Sequence, residues 1–270
     1  MLNDLAWNLK QIIYPDRNKC CFCSKFLKLY ENTFCNKCLY KISPRNNNYI
    51  TCKVCGKFIK DQVICSACRK SKPPFMLARA VGIYEQLIKE ILQKFKYQGV
   101  RSLAGPMGRL MALESLKHKE FIECSFITYV PLSIKRLKER RYNQSQLLAY
   151  ELSKYLKIPA KELLEKTIDT EPMAKLTKEE RLKNLAHAFR IKEQVKVQRV
   201  ILVDDVYTTG STVSLCCREL LEGGIKEVYV LTFATGCDST CRTNLHSSEG
   251  RGLPPAAEVR CPASDFQAGD

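Results

Sequence analysis

The sequence predicts an α/β protein, a mostly parallel sheet flanked by helices, with a small cysteine-rich unit in front of it. Three observations carry that prediction. From residue 78 onward, apolar runs follow the order strand, helix, helix, strand, helix, strand, helix, strand, and such alternation builds parallel sheets. Four Cys-x-x-Cys pairs crowd into residues 20–68. The run Val200 to Thr212 sets four apolar residues, two acids and a Thr/Gly/Ser turn directly before a stretch of helical period.

Composition narrows the class. The chain has 270 residues, 45% of them hydrophobic, enough for one sizeable core and a small module. No run approaches the ~18 apolar residues of a membrane-spanning helix. The N-terminus carries Asp4 and lacks a basic leader and a small-residue cleavage site, so no secretory signal is expected. The formal charge is +16. That excess suits polyanions such as nucleic acid, phosphorylated substrates or acidic membrane surfaces; a solvated Lys-rich surface explains it equally well.

In chain order, Leu2, Leu5, Leu9, Ile12 and Ile13 mark an amphipathic helix that Pro15 ends. Its polar face is not strongly basic, so packing against its own protein is expected rather than a membrane. The pairs Cys20/Cys23, Cys35/Cys38, Cys52/Cys55 and Cys65/Cys68 follow. Each pair supplies two thiolates to a tetrahedral zinc, and a chain without a secretory signal directs such spacing to metal rather than disulfides. Gaps of 11 and 9 residues inside the two consecutive sets suit a short hairpin returning to the same ion. Two structural zinc ions are therefore expected, each closed by four cysteines; Cys21 is a spare and Gly56 a tight knuckle turn. The aromatics Phe22, Phe26, Tyr30, Phe34, Tyr40 and Tyr49 fill the module's core or stack the bases of single-stranded DNA.

Ser71 to Pro74 reads as a linker, dividing residues 1–72 from 73–236. Ala78 to Tyr84 is a strand. Leu87, Ile88, Ile91, Leu92 and Phe95 stripe a helix that stops at Gly99. Leu103 to Leu116 is a second helix and Phe126 to Leu132 the next strand. Lys135, Arg136, Lys138, Arg140 and Arg141 then form a basic loop before a helix carrying Leu147, Leu148, Leu152 and Leu156. Residues 163–168 make a further strand, 170–176 a loop, and Thr177 to Glu180 a capping box opening a short basic helix. After the strand at 200 and its helix, Gly223-Gly224 is a stop and Lys226 to Phe233 the last strand. Residues 237–270 contain no Lys and no Ile; disorder is expected there, in sequence foreign to the domain.

The chemistry is concentrated at Val200 to Thr212. Ligands of open α/β sheets sit at the carboxyl ends of strands. A Thr/Gly/Ser turn feeding a helix aims N–H groups and hydroxyls at one spot, which suits a phosphate. Asp204 and Asp205 suit ribose hydroxyls or Mg²⁺. An ordinary strand–turn–helix with a capping Asp and Ser is the alternative. The basic loop, at the carboxyl end of another strand, suits pyrophosphate, because guanidinium forks match phosphate oxygens.

The run resembles the 5-phosphoribosyl 1-pyrophosphate (PRPP) motif of type I phosphoribosyltransferases. Over residues 1–235 the chain is similar to the ComF-type amidophosphoribosyltransferase family. The likeness rests on Tyr14-Pro15 before four Cys-x-x-Cys pairs, Pro73-Pro74-Phe75, Lys96-Tyr97-Gln98-Gly99, Pro131-Leu132, Arg136-x-x-x-Arg140, Tyr142-Asn143-Gln144, Leu176 with Arg181 and Asn184, and the acid-pair loop. The resemblance implies a zinc module fused to a type I phosphoribosyltransferase fold, cytoplasmic, and linked to DNA uptake and transformation. Asp204 and Asp205 then hold the ribose, and Thr208, Thr209, Gly210, Ser211 and Thr212 the 5′-phosphate. Arg136, Arg140 and Mg²⁺ stabilise departing pyrophosphate. Single-stranded DNA and the helicase or uptake proteins of the competence machinery are the implied partners. The family's common His after Pro-Leu is Ser133 here, its usual Gly after the second Arg is Arg141, and Met173 stands where Gln is common. Thr208 replaces the carboxylate of purine-salvage relatives, so a purine acceptor is not expected. A second reading keeps the fold as a scaffold or sensor in a factor that works on DNA without turnover.

Overall fold

The computed structural model describes residues 19–28, 33–42, 50–60, 62–167 and 188–238. The expected N-terminal helix, the loop at 170–176, the capping-box helix and residues 239–270, with Cys241, His246 and Cys261, lie outside them.

The described elements are α1 (Asn36–Ile42), β1 (Ile50–Thr51), β2 (Phe58–Ile59), α2 (Ser66–Lys70), β3 (Leu77–Ile83), α3 (Gln86–Tyr97), α4 (Ala104–Ser115), α5 (Lys119–Ile122), β4 (Phe126–Tyr129), α6 (Ile134–Arg140), α7 (Gln144–Leu156), β5 (Leu164–Lys166), β6 (Phe189–Ile191), β7 (Arg199–Tyr207), α8 (Ser211–Glu222) and β8 (Glu227–Thr235). A 3₁₀ turn, Arg101–Leu103, leads into α4. The main sheet has four strands in the order β3-β8-β7-β4, and every pairing in it is parallel. Parallel sheets are covered on both faces, which is why their strands read as continuous apolar runs. Val200, Ile201, Leu202 and Val203 are all fully buried. Ile201 and Val203 face the core made with α3, α4 and α7. Val200 and Leu202 face the core made with α8 and the β5–β6 pair. The α3 stripe is buried residue for residue as its spacing predicts.

The strand expected at residues 163–168 does not join the main sheet. It is the three-residue β5, antiparallel to β6, and it covers one face. The basic loop at 135–141 is corrected to a helix, α6. The Ser133 hydroxyl accepts the Arg136 N–H at its start, and Arg141 ends it in a left-handed conformation at φ 65°. No residue of α6 is buried, so no apolar period announces it. The acid pair, expected just beyond a strand, lies inside one: β7 continues through Asp204 and Asp205, pairing Tyr207 with Thr235.

The two cysteine sets are built alike. Cys20 N–H donates to Lys25 O and Ser24 N–H to Cys20 O; Cys52 N–H donates to Lys57 O and Gly56 N–H to Cys52 O. Ser24 and Gly56 occupy the same left-handed position, at φ 59° and 69°. The hairpin expected in the 9-residue gap of the second set lies instead around Cys52 and Cys55, as the antiparallel pair β1–β2. The sets then part company. Cys20, Cys35 and Cys38 join the core of the α3–α4–α7 face; Cys52, Cys55 and Cys65 join the core of the α8 face. Cys237 and Asp238, expected to open an unstructured tail, instead dock on the second set. Cys237 bridges Phe58, Asp238 N–H donates to Phe58 O, and the Asp238 carboxylate accepts from Ser66 N–H and Oγ at 3.2 and 3.1 Å.

The second set also seals the outer edge of β3, where Ala78 N–H donates to Val54 O at 2.8 Å. A Cβ on Gly56 would sit 2.5 Å from Ala78 O, whereas one on Gly99, at the same φ of 69°, would meet nothing within 4 Å. Gly99→Ala should therefore cost only the left-handed conformation, about 1 kcal/mol. Gly56→Ala should cost that and the displaced edge, about 3 kcal/mol in all. Urea unfolding of the two variants measures the difference; equal losses would mean that the edge contact is not tight.

Candidate functional site

Three groups of side chains converge on chemistry, and two of them are sulfur. Cys20, Cys23, Cys35 and Cys38 gather their sulfurs within 4.8 Å of one another, and so do Cys52, Cys55, Cys65 and Cys68. None of the described cysteines forms a disulfide. Cys23 and Cys35 Sγ lie 3.7 Å apart and Cys55 and Cys65 Sγ 3.5 Å. A tetrahedron with Zn–S bonds of ~2.3 Å has S···S edges of about 3.8 Å, against ~2.05 Å for a disulfide. Backbone donors supply the usual sulfur partners: Cys35 N–H to Cys20 Sγ and Cys65 N–H to Cys52 Sγ, both at 3.3 Å. Burial raises the Cys20 and Cys52 thiols, but the N–H donors outweigh it and bring each down to about 7. Burial drives Cys38 and Cys55 far up, and Cys68 to about 12. One thiolate in each group is thus stabilised by the backbone. Both groups can hold a metal ion.

The third group lies toward the carboxyl end of β7. Ser145 Oγ donates to Asp204 Oδ1 at 2.8 Å, and that oxygen also accepts the Asp205 N–H at 2.9 Å. Lys96 Nζ, at the end of α3, pairs with Asp205 Oδ1 at 2.8 Å. Asp204 keeps a partly exposed edge. Desolvation, and then the charge of Asp205, still hold its carboxyl up at about 7 against the pull of Ser145, the Asp205 N–H and Lys96.

The turn after β7 leaves Thr208, Thr209, Ser211 and Thr212 exposed and Gly210 buried at the N-terminus of α8. Gly210 is left-handed at φ 82°. Thr209 Oγ1 and Ser211 Oγ are 3.0 Å apart, so the hydroxyls already face a common point. Arg140 reaches the same neighbourhood through Tyr97, next to Lys96: its guanidinium lies 5.1 Å from the Tyr97 ring centroid and donates to Gln144 Oε1 at 3.2 Å. Arg136 is not drawn in; its side chain is exposed on α6, and its backbone N–H donates to the N-cap hydroxyl, Ser133 Oγ.

Comparison with known proteins follows this geometry. The phosphoribosyl transferase domain family matches residues 143–250. DNA utilization protein YhgH of Escherichia coli K12 is 30% identical over 184 residues, 66% of this chain and 81% of that one. The chain belongs to the ComF-type amidophosphoribosyltransferase family. Competence protein F of Haemophilus influenzae is 29% identical over 220 residues, covering 78% of this chain and 94% of its own. Competence protein ComFC of Bacillus subtilis 168 is 27% identical over 228 residues, 82% and 85%. The ComF-type chain thus has a type I phosphoribosyltransferase fold with a cysteine-rich N-terminal unit able to bind metal.

Sequence reasoning assigned no role to Ser145, and gave Lys96 and Tyr97 only as a quoted motif. Nothing in local spacing ties residue 96 or 145 to 204. Ser145 follows the N-cap Asn143, whose Oδ1 accepts the Ser145 N–H at 3.0 Å, and this cap aims the Ser145 hydroxyl.

The raised Asp204 carboxyl has a signed consequence. Its folded value of about 7 exceeds the ~3.9 of an unfolded chain. The stability tied to its proton is complete below about pH 4 and lost as pH rises through about 7. Asp204→Asn should therefore gain on the wild type between pH 4 and 8, by on the order of 2–4 kcal/mol. Urea midpoints of both proteins, taken without ligand across that range, test this; a difference that does not change with pH refutes it.

Proposed function

We propose that the protein binds PRPP with Mg²⁺ as a phosphoribosyltransferase acting in DNA uptake and transformation. The observation that carries this reading is the meeting of Asp204 and Asp205 with the Thr208–Thr212 turn at the head of α8. In this reading the two acids accept from the ribose hydroxyls. The N–H groups of the turn, with Thr209, Ser211 and Thr212, hold the 5′-phosphate. Lys96 neutralises Asp205 while the site is empty and turns to the incoming anion when ribose takes its place. Arg140, steadied by Tyr97 and Gln144, meets the pyrophosphate, and Arg136 swings in from its exposed position on α6 to join it. Mg²⁺ bound with PRPP supplies further positive charge there, and Asp204 is the hard oxygen donor that fits it. Positive charge develops on the ribose ring as pyrophosphate leaves, and the fixed carboxylates stabilise it. The names of the relatives, competence protein and DNA utilization protein, support the cellular role.

The two cysteine groups in this reading hold structural zinc, closed to substrate by four thiolates each. Protein purified without added zinc should contain close to two equivalents by metal analysis; fewer than one, with the cysteine unit intact, contradicts the assignment.

Isothermal titration with PRPP and Mg²⁺ tests the ligand. The double variant Asp204→Asn/Asp205→Asn should keep the fold by circular dichroism and bind PRPP at least ~10-fold more weakly. Thr209→Val and Thr212→Val should each lose about 1.5–3 kcal/mol, the worth of a hydrogen bond to a charged group. Equal binding by wild type and double variant moves the ligand elsewhere.

A second reading, a single-stranded-DNA factor that uses the fold as scaffold or sensor, is favoured by one observation. Lys25, Lys37 and Lys41 line a cavity of about 200 Å³ beside Cys23 and Cys38, in a chain of charge +16. The same titration decides between them. No PRPP binding at millimolar concentration, with steeply salt-dependent binding of single-stranded DNA, selects the second.

A further inference from the structure

The second cysteine group and the phosphate-type turn are separated by about 140 residues of sequence and by one side chain in space. Tyr207, the last residue of β7, points away from the solvent beneath the turn. A Cβ on Gly210 would lie 2.3 Å from its hydroxyl oxygen and 2.7 Å from Cζ, so the ring fills the room that only a glycine leaves. On its other side the ring meets Phe75 edge-on, with centroids 6.0 Å apart at 84°. Lys57 Nζ stands 5.8 Å from its centroid, and Lys57 is the residue whose carbonyl closes the Cys52 knuckle. Tyr207, Phe75, Cys52, Cys55 and Cys65 share one buried cluster with Val213 of α8. The backbone is held too: Tyr207 O accepts from Thr235 Oγ1 at 3.2 Å and Gly236 N–H at 3.3 Å. Two residues on, Asp238 caps the helix that carries Cys68.

We propose that Tyr207 is a positioning residue, the wedge through which a metal in the Cys52/Cys55/Cys65/Cys68 group sets the shape of the Thr208–Thr212 turn. Metal there fixes the Cys52–Lys57 knuckle and Phe75, these fix the ring, and the ring fixes Gly210 and the head of α8. The Cys20 group lies in the core of the opposite face and does not share the Tyr207 cluster. What binds the turn rests on the reading above, that it takes the phosphate of a phosphoribosyl ligand; the coupling itself does not.

Ribose 5-phosphate is the probe, used on the full chain loaded with zinc. Coupling between sites is reciprocal and typically at least about five-fold. Saturating ribose 5-phosphate should slow chelator removal of one of the two zinc equivalents about five-fold or more and leave the other unchanged. Tyr207→Leu should speed amide exchange at residues 208–214 and removal of the same equivalent by a similar factor. Tyr207→Phe, which keeps the ring, should restore both and so assign the coupling to the ring and not the hydroxyl, while amide exchange elsewhere in the sheet stays unchanged in all three proteins, which a loss of general packing would not give. If ribose 5-phosphate does not bind the wild type while Tyr207→Leu still loosens the turn and the zinc, the ligand reading fails and the coupling stands. If Tyr207→Leu changes neither turn exchange nor zinc release, the coupling is overturned. Should Tyr207→Leu not fold, the wild type decides: partial zinc removal that opens the amides of residues 52–68 must also open 208–214. An unchanged turn would overturn the proposal.

Discussion

The outer edge of β3 is the constraint on which the rest depends. A parallel sheet with an uncovered edge offers unpaired N–H and C=O groups to any passing strand. Here the cover comes from a segment with little regular structure, joined to the edge by Val54 O and Ala78 N–H. The fit is at backbone distance. Gly56 has no room for a side chain against Ala78, and Gly82 has none against Ile42 O, 2.5 Å from where its Cβ would be. Arg79 reinforces the seam, donating to Ala78 O at 2.7 Å and to Cys52 O at 3.4 Å while its Nε bonds His118 Nε2 at 3.1 Å. The opposite edge is covered by ordinary chain, Pro159 O and Lys161 N–H meeting Ile127. A segment as short as the cysteine unit buries too little apolar surface to hold such tolerances alone. Its eight sulfurs supply the points about which it is rigid.

The carboxyl end of β7 gathers side chains from three distant parts of the chain. β7 brings two acids side by side, a repulsive arrangement that the fold relieves in different ways. Asp205 is neutralised by a lysine from α3. Asp204 is given hydrogen-bond donors and left close to its protonation midpoint. The two neighbouring acids thus sit in different electrostatic surroundings, one paired with a lysine and one held by hydrogen bonds.

What was legible in the sequence follows from where periodicity exists. The α3 stripe, the β7 run and the cysteine spacing each carry a pattern, and each stands where it was expected. Gly56 was readable as a knuckle because its left-handed backbone needs glycine; Ser24 holds the same conformation in the first set and gave no such sign. Helix α6 buries nothing, so only its caps define it. One of them, Arg141, occupies a left-handed position that favours glycine. Strand β5 was seen as a strand but not as a stranger to the main sheet, because three residues do not record their partner. Lys96, Ser145 and Asp238 act across 59 to 172 residues of chain, a distance over which spacing says nothing.

The placement of the sulfur groups also orders events in time. Both leave the ribosome complete by residue 68, whereas β8 and the Asp238 cap emerge some 170 residues later. At ~5–20 residues per second, that interval is on the order of ten to thirty seconds. The nascent chain thus carries nine thiols, the two sets and Cys21, before the sheet that shelters them exists. Metal acquired in that window turns the cysteine unit into a preformed template, and the sheet edge is laid against it instead of waiting exposed.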